Sequence, residues 1–176
     1  MLLAQRTAAF DPATHGFAFP NAFVNVVLQL PNGAKITTAG RCGGMAYAAL
    51  DYFLPGQPVP RWRSDLWGPG RVPPDGHWLA QYFTARLRDS FFTGSAAKFV
   101  TWSLHSDDPT WVFKGVSRWT KEEEVPRLVA SIDRGRPVVL GLVVARSLGA
   151  IGDNHQVVAY GYEKTSDGRV VVTVYD

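Results

Sequence analysis

The chain has 176 residues, 46% hydrophobic and 19% charged, with a net charge of +3. A chain of this length suits one domain, 1–176, with a real core, and its composition is that of a folded globular protein rather than a disordered one. The positive charges are scattered, with no basic run and no interleaving of aromatic and basic residues, so nucleic acid is not an expected partner.

The opening segment MLLAQRTAAFDPATHGF lacks an apolar core of signal-peptide length. Nowhere do about 18 apolar residues follow one another. Neither a secretory signal nor membrane insertion is expected, and the cytoplasm is the default compartment. From Phe10 to Leu30, aromatic and small residues alternate, which predicts an extended arm and then a strand before a turn at Pro31-Asn32-Gly33.

Residues Thr37 to Gly44 are polar and glycine-rich. After them Met45, Ala46, Ala49, Leu50 and Phe53 recur at helical spacing until Pro55-Gly56, which predicts a helix over about 42–54 with Cys42 at its start. Leu54 to Pro74 holds prolines at 55, 58, 60, 69, 73 and 74 beside Trp62 and Trp67, a packed connecting loop rather than a linker. Asp75 is placed to cap a second helix, whose apolar face of Trp78, Leu79, Tyr82, Phe83, Leu87 and Phe91 runs to about Phe92.

Thr120 and Glu123 have the spacing of a capping box. Because Pro126 would clash inside a helix begun there, the start is expected at either residue, with the end before Gly135. The remainder, about 136–176, predicts a sheet: RPVVLGLVV, HQVVAYGY and RVVVTVY are strand-like and separated by Gly-rich or Asp-Gly turns. Helices first and hairpin-linked strands after them make the expected fold class α+β.

The single cysteine, Cys42, excludes an internal disulfide and a zinc site of several thiolates. His15, His77, His105 and His155 show no metal-ligand spacing, so no metal is expected. In GRCGGMAYAALDYF the thiol sits where a helix's unpaired N–H groups and positive dipole end favour a thiolate. Gly43 and Gly44 leave a substrate unobstructed, and the Cys42 N–H is one oxyanion donor.

His155 opens an apolar strand in GDNHQVVAYGYE, where a rigid sheet can hold a general base. Asp176 follows a strand that would pair with it, and is the residue expected to orient the imidazole; Asp153 is the local competitor, better suited to a turn. Trp102, Trp111 and Trp119 read as core anchors, and the Lys121-Glu122-Glu123-Glu124 cluster as a solvated helix start.

CGG at a helix start, then NHQVVAYGY and a strand ending in YD, resembles the papain-like cysteine peptidases, which order these residues Cys, His, Asp. The nearest likeness is to the branch of bacteriocin-leader-processing peptidases and their non-processing relatives, where the third residue is aspartate. The resemblance implies a nucleophile helix packed on a C-terminal antiparallel sheet, with Cys42, His155 and Asp176 as the triad. The family commonly places an oxyanion-hole glutamine six residues before the nucleophile, and here that position is Ile36. Asn21, Asn25, Gln29 and the Thr37-Thr38 pair are the candidate substitutes, with Asn21 first.

The function expected from these residues is hydrolysis of an amide or peptide bond through a thioester, with a peptide or protein substrate and neither metal nor organic cofactor. The alternatives are acyl transfer or deamidation on the same triad, and a papain-like module that binds a peptide or ligand without turnover.

Overall fold

The computed structural model describes residues 1–29, 35–62, 64–67, 72–91, 115–143 and 154–176. Its elements are β1 (Leu2–Thr7), α1 (Pro12–His15), β2 (Val24–Gln29), β3 (Lys35–Ala39), α2 (Cys42–Phe53) and α3 (Trp78–Phe91). After these come α4 (Val116–Trp119), a π-helical turn (Thr120–Glu124), α5 (Val125–Asp133), and the strands β4 (Val138–Leu142), β5 (His155–Thr165) and β6 (Val170–Tyr175). This is an α+β arrangement of helices and antiparallel sheet.

Strand β5 is the centre of the main sheet. It pairs antiparallel with β6 from Val158↔Tyr175 to Lys164↔Val170, with β4 from Leu142↔His155 to Val138↔Ala159, and with β1 from Thr7↔Gly161 to Leu2↔Thr165. Since β6 spans both halves of β5, β4 and β1 must share its other edge, end to end. The sheet is therefore not wholly C-terminal, because its fourth strand is the start of the chain. LLAQRT carries no period-2 signal and most of it is exposed; its strand state comes from backbone pairing with β5.

Both faces of β5 are covered. Val158 belongs to the larger apolar cluster, with Met45, Ala48, Ala49 and Leu50 of α2 and Leu79 and Phe83 of α3. The next residue, Ala159, points the other way and packs with Leu128, Val129 and Ile132 of α5. A register shift between Ala159 and Gly161 turns Tyr162 to that second face as well. Burial on both sides is why HQVVAYGY reads as a nearly continuous apolar run.

The aromatic arm becomes core: Phe10, Phe17, Phe19 and Phe23 are all buried, and the Phe17 and Phe23 rings meet Phe83 edge-on. The arm is interrupted by α1, which Asp11 caps through its carboxylate on the Ala13 N–H at 3.0 Å. β2 pairs antiparallel with β3, so Thr37 to Ala39, the start of the polar, glycine-rich stretch, lie in a strand; the turn expected at 31–33 falls outside the described residues.

Asp75 does not cap α3, which begins at Trp78; its carboxylate turns back to Arg41 instead. Of the expected apolar face of α3, Leu79 and Phe83 are buried, but Trp78 is half exposed and held edge-on against Trp62. Trp62 also meets Trp67 and His77 edge-on, so the proline-rich connection is packed at its aromatic residues.

The capping box does not form. Thr120 Oγ1 donates to the Val116 carbonyl at 2.8 Å, and the helix already runs from Val116. The wider π-turn directly before α5 takes up the clash Pro126 would otherwise make with the preceding turn, so one helical run passes through the proline. It ends at Asp133, with Gly135 at φ 72 and its N–H on the Ile132 carbonyl.

Helices α2 and α3 are clamped by Asp51, which accepts from Arg86 Nε at 2.6 Å and Nη2 at 2.9 Å and from the Tyr82 hydroxyl at 2.6 Å. Burial, reinforced by this carboxylate, pushes the Tyr82 phenol up to about 12. Folding therefore holds the Tyr82 proton more tightly than the unfolded chain does. That stability is complete below the ordinary tyrosine range near pH ~10 and is lost as pH rises toward about 12. Urea midpoints of Tyr82→Phe should fall less steeply than those of the wild type over this interval, and parallel profiles would contradict the assignment.

Candidate functional site

Cys42 is the first residue of α2, and the loop before it is tied down from three directions. Gly40 donates its N–H to the Phe23 carbonyl at 2.7 Å, and its carbonyl accepts from Asn25 Nδ2 at 2.6 Å. Gly40 has φ 77, and a Cβ there would lie 2.6 Å from Asn21 Nδ2, so only glycine fits the bend. The Arg41 N–H then donates to Asn21 Oδ1 at 2.6 Å.

The Arg41 side chain is the buried brace of this loop. Its guanidinium donates to Asn25 Oδ1 at 2.7 Å, to the Ala80 carbonyl at 3.0 Å and to Asp75, and lies 4.6 Å from the centre of the Phe23 ring. One cation thus links β2, α3 and the turn before α3 to the residue preceding Cys42. Taking a charge out of water is tolerated only with such complete pairing.

His155 is the first residue of β5, opposite Leu142. With Tyr175 opposite Val158, the chain leaving β6 runs beside the start of β5, and Asp176 Oδ1 lies 2.6 Å from His155 Nε2. The carboxylate accepts the proton on Nε2, which leaves Nδ1 as the ring's basic nitrogen. The Asp176 side chain is 68% exposed and that of His155 32%. Tyr175 anchors this end of β6: its partly buried hydroxyl accepts from the Phe17 N–H at 2.9 Å, and burial raises its phenol above the ordinary value.

These elements border a partly open pocket with a cavity volume of about 90 Å³. Its polar lining is Asn21, Cys42, His155, Gln156 and Asp176, and Phe17, Phe19, Pro20, Met45 and Tyr175 supply apolar wall. The four residues named from the sequence, Cys42, His155, Asp176 and Asn21, therefore line one cavity. With the Asn21 oxygen held by the Arg41 N–H, the donor end of that carboxamide is Nδ2.

The other candidates lie elsewhere. Asn25 braces Arg41 and Gly40 and is not part of the pocket wall. Ile36 sits in β3 opposite Leu28. Gln29, Thr37 and Thr38 belong to the same hairpin, and Asp153, His105, Trp102 and Trp111 fall outside the described residues. His15 accepts from the Asp11 N–H, and His77 from the Leu79 N–H within the tryptophan cluster. Among the described residues no three His, Cys, Asp or Glu side chains are grouped to hold a metal, and no helix is long and apolar enough to cross a membrane.

Two features depart from the sequence reading. Gly43 and Gly44 are buried and serve packing rather than substrate access: a Cβ on Gly44 would lie 2.1 Å from the Phe83 carbonyl oxygen, and one on Gly43 1.9 Å from Gln156 Oε1. Gln156 itself was not a candidate, although it is the one polar residue of HQVVAY beyond the histidine. Such a local break in an apolar pattern is the signal that marks it. No family model, curated protein or solved structure matches the chain.

Proposed function

We propose that the protein is a cysteine hydrolase of peptide or amide bonds, built on a papain-like fold. The observation that carries the reading is the pairing of His155 Nε2 with Asp176 at 2.6 Å while Cys42, at the head of α2, lines the same pocket. Order along the chain supports the fold: a nucleophile helix packed on an antiparallel sheet whose central strand opens with the histidine and whose neighbour ends at the aspartate.

In this reaction His155 Nδ1 takes the proton from Cys42 Sγ, and the sulfur attacks the substrate carbonyl carbon. The oxyanion is met by the Cys42 N–H and Asn21 Nδ2. Collapse breaks the C–N bond, the imidazolium returns its proton to the departing amine, and a thioester remains on Cys42. Water, deprotonated by His155, then releases the acid and restores the thiol. Asp176 holds the ring and offsets the imidazolium charge. Acyl transfer differs only in that an amine replaces this water.

Ile36 favours a second reading, a papain-like module that binds a peptide without turnover, since loss of one oxyanion donor lowers turnover by about 10²–10³. Alkylation of Cys42 by iodoacetamide separates the two. Near pH ~6 the wild type should react at least about tenfold faster than His155→Ala, because in the proposed pair the imidazole takes the proton from the thiol. Equal rates in the two proteins would remove the hydrolase reading and leave the binding module.

A further inference from the structure

We propose that Gln156 is a positioning residue of this site: its side chain, seated where Gly43 has none, sets the distance between the strand carrying His155 and the helix turn carrying Cys42. The inference rests on the Cys42–His155 reading above and adds to it the device that holds the two elements apart. Gln156 follows His155 directly, and its carboxamide lies against the first turn of α2. A Cβ on Gly43 would stand 1.9 Å from its oxygen, 3.0 Å from its Cδ and 3.1 Å from a Leu87 methyl. The contact joins β5, α2 and α3 at one point.

The chemistry of the contact argues against a purely stabilising role. Gln156 Oε1 is enclosed and finds no hydrogen-bond partner among the described residues. A buried acceptor without a donor weakens a fold, so stability alone would favour an apolar side chain here. Gly43, which leaves room for that side chain, lowers the helix propensity of the first turn of α2 as well. Both concessions meet beside the thiol, where strand and helix carry the two reacting groups.

The restraint is needed because the other one is weak. Asp176 pairs with His155 through Nε2 and is 68% exposed, so water competes for it. Gln156, the next residue of the same strand, makes the enclosed contact, against a helix whose preceding residue is Arg41.

The test is the His155-dependent rate of Cys42 alkylation by iodoacetamide, taken between about pH 5 and 8, where histidine titrates. It is measured in the wild type, Gly43→Ala, Gln156→Asn, Gln156→Met and the Gly43→Ala/Gln156→Asn double variant, each with its circular dichroism spectrum. Gln156→Asn is too short to span the gap and should lose about tenfold, since an ångström of misplacement is enough to disable such a pair. Gln156→Met keeps the reach and should stay within about twofold of the wild type. Gly43→Ala should lose about tenfold, and the double variant should recover part of it, because the shortened side chain makes room for the methyl.

Wild-type rates in both Gly43→Ala and Gln156→Asn would overturn the proposal, as would a Gln156→Met loss as large as that of Gln156→Asn. Should Gly43→Ala fail to fold, Gln156→Asn decides, because it adds no atoms. A wild type indifferent to His155→Ala overturns the paired site and this proposal together. A His155-dependent wild type with insensitive Gly43 and Gln156 variants overturns the positioning role alone.

Discussion

Under the proposed mechanism, Cys42→Ala is expected to abolish turnover of a peptide amide, with a loss of about 10⁴-fold or more, while the protein remains folded. The size follows from the mechanism: without the sulfur there is no thioester route, and only the binding and oxyanion contacts of the pocket remain. The fold is spared because Cys42 is only partly buried and its Sγ is a single atom on the pocket wall. Loss of that atom costs no more than about 1 kcal/mol of apolar burial. Turnover of a peptide amide and the thermal midpoint are the two measurements. Residual turnover within about tenfold of the wild type, in a folded variant, removes Cys42 as the nucleophile.

Gly44→Ala destabilises the protein by about 3 kcal/mol or more, against the direction of helix propensity, which favours alanine over glycine by about 1 kcal/mol. The added Cβ would lie 2.1 Å from the Phe83 carbonyl oxygen, 2.8 Å from its carbon and 3.1 Å from its Cα. All three are backbone atoms of α3, so no side-chain rotation relieves the contact and the two helices must separate. Phe83, Ala48 and Ala49 are fully buried nearby, and separation opens space among them.

Gly76→Ala is the control. A Cβ there meets nothing within 4 Å and the backbone is not left-handed, so the change is neutral or stabilising by up to about 1 kcal/mol. Urea unfolding of both variants measures the contrast. Equal midpoints would show that α2 and α3 are not packed as closely as the Gly44 contact requires.

Local patterning carried much of the architecture. The 3.6-residue recurrence from Met45 to Phe53 marks α2, which buries one face, and VVLGL, VVAYGY and VVVTVY mark the strands that became β4, β5 and β6, because short runs rich in β-branched and aromatic residues suit a pleated sheet. Departures arise where a partner distant in sequence decides. Asp75 has the chemistry of a helix cap but is drawn to a buried guanidinium 34 residues away. The π-turn before Pro126 is a backbone response to one missing N–H and one ring clash.

The inventory of the site was legible in the residues alone: one thiol at a helix start, a histidine opening an apolar strand, and an aspartate after a neighbouring strand. Helix termini and strand openings are set by residues a few positions away, so such placements are legible locally. Folding brings in what the residues alone do not carry: which of these groups share a cavity, that Asn21 rather than Asn25 lines it, that Gly43 and Gly44 answer to Gln156 and Phe83, and that the chain's first strand joins the sheet. Those outcomes depend on contacts between segments far apart in the chain. Their energies come from close packing and pairing between surfaces that do not exist until the fold has formed.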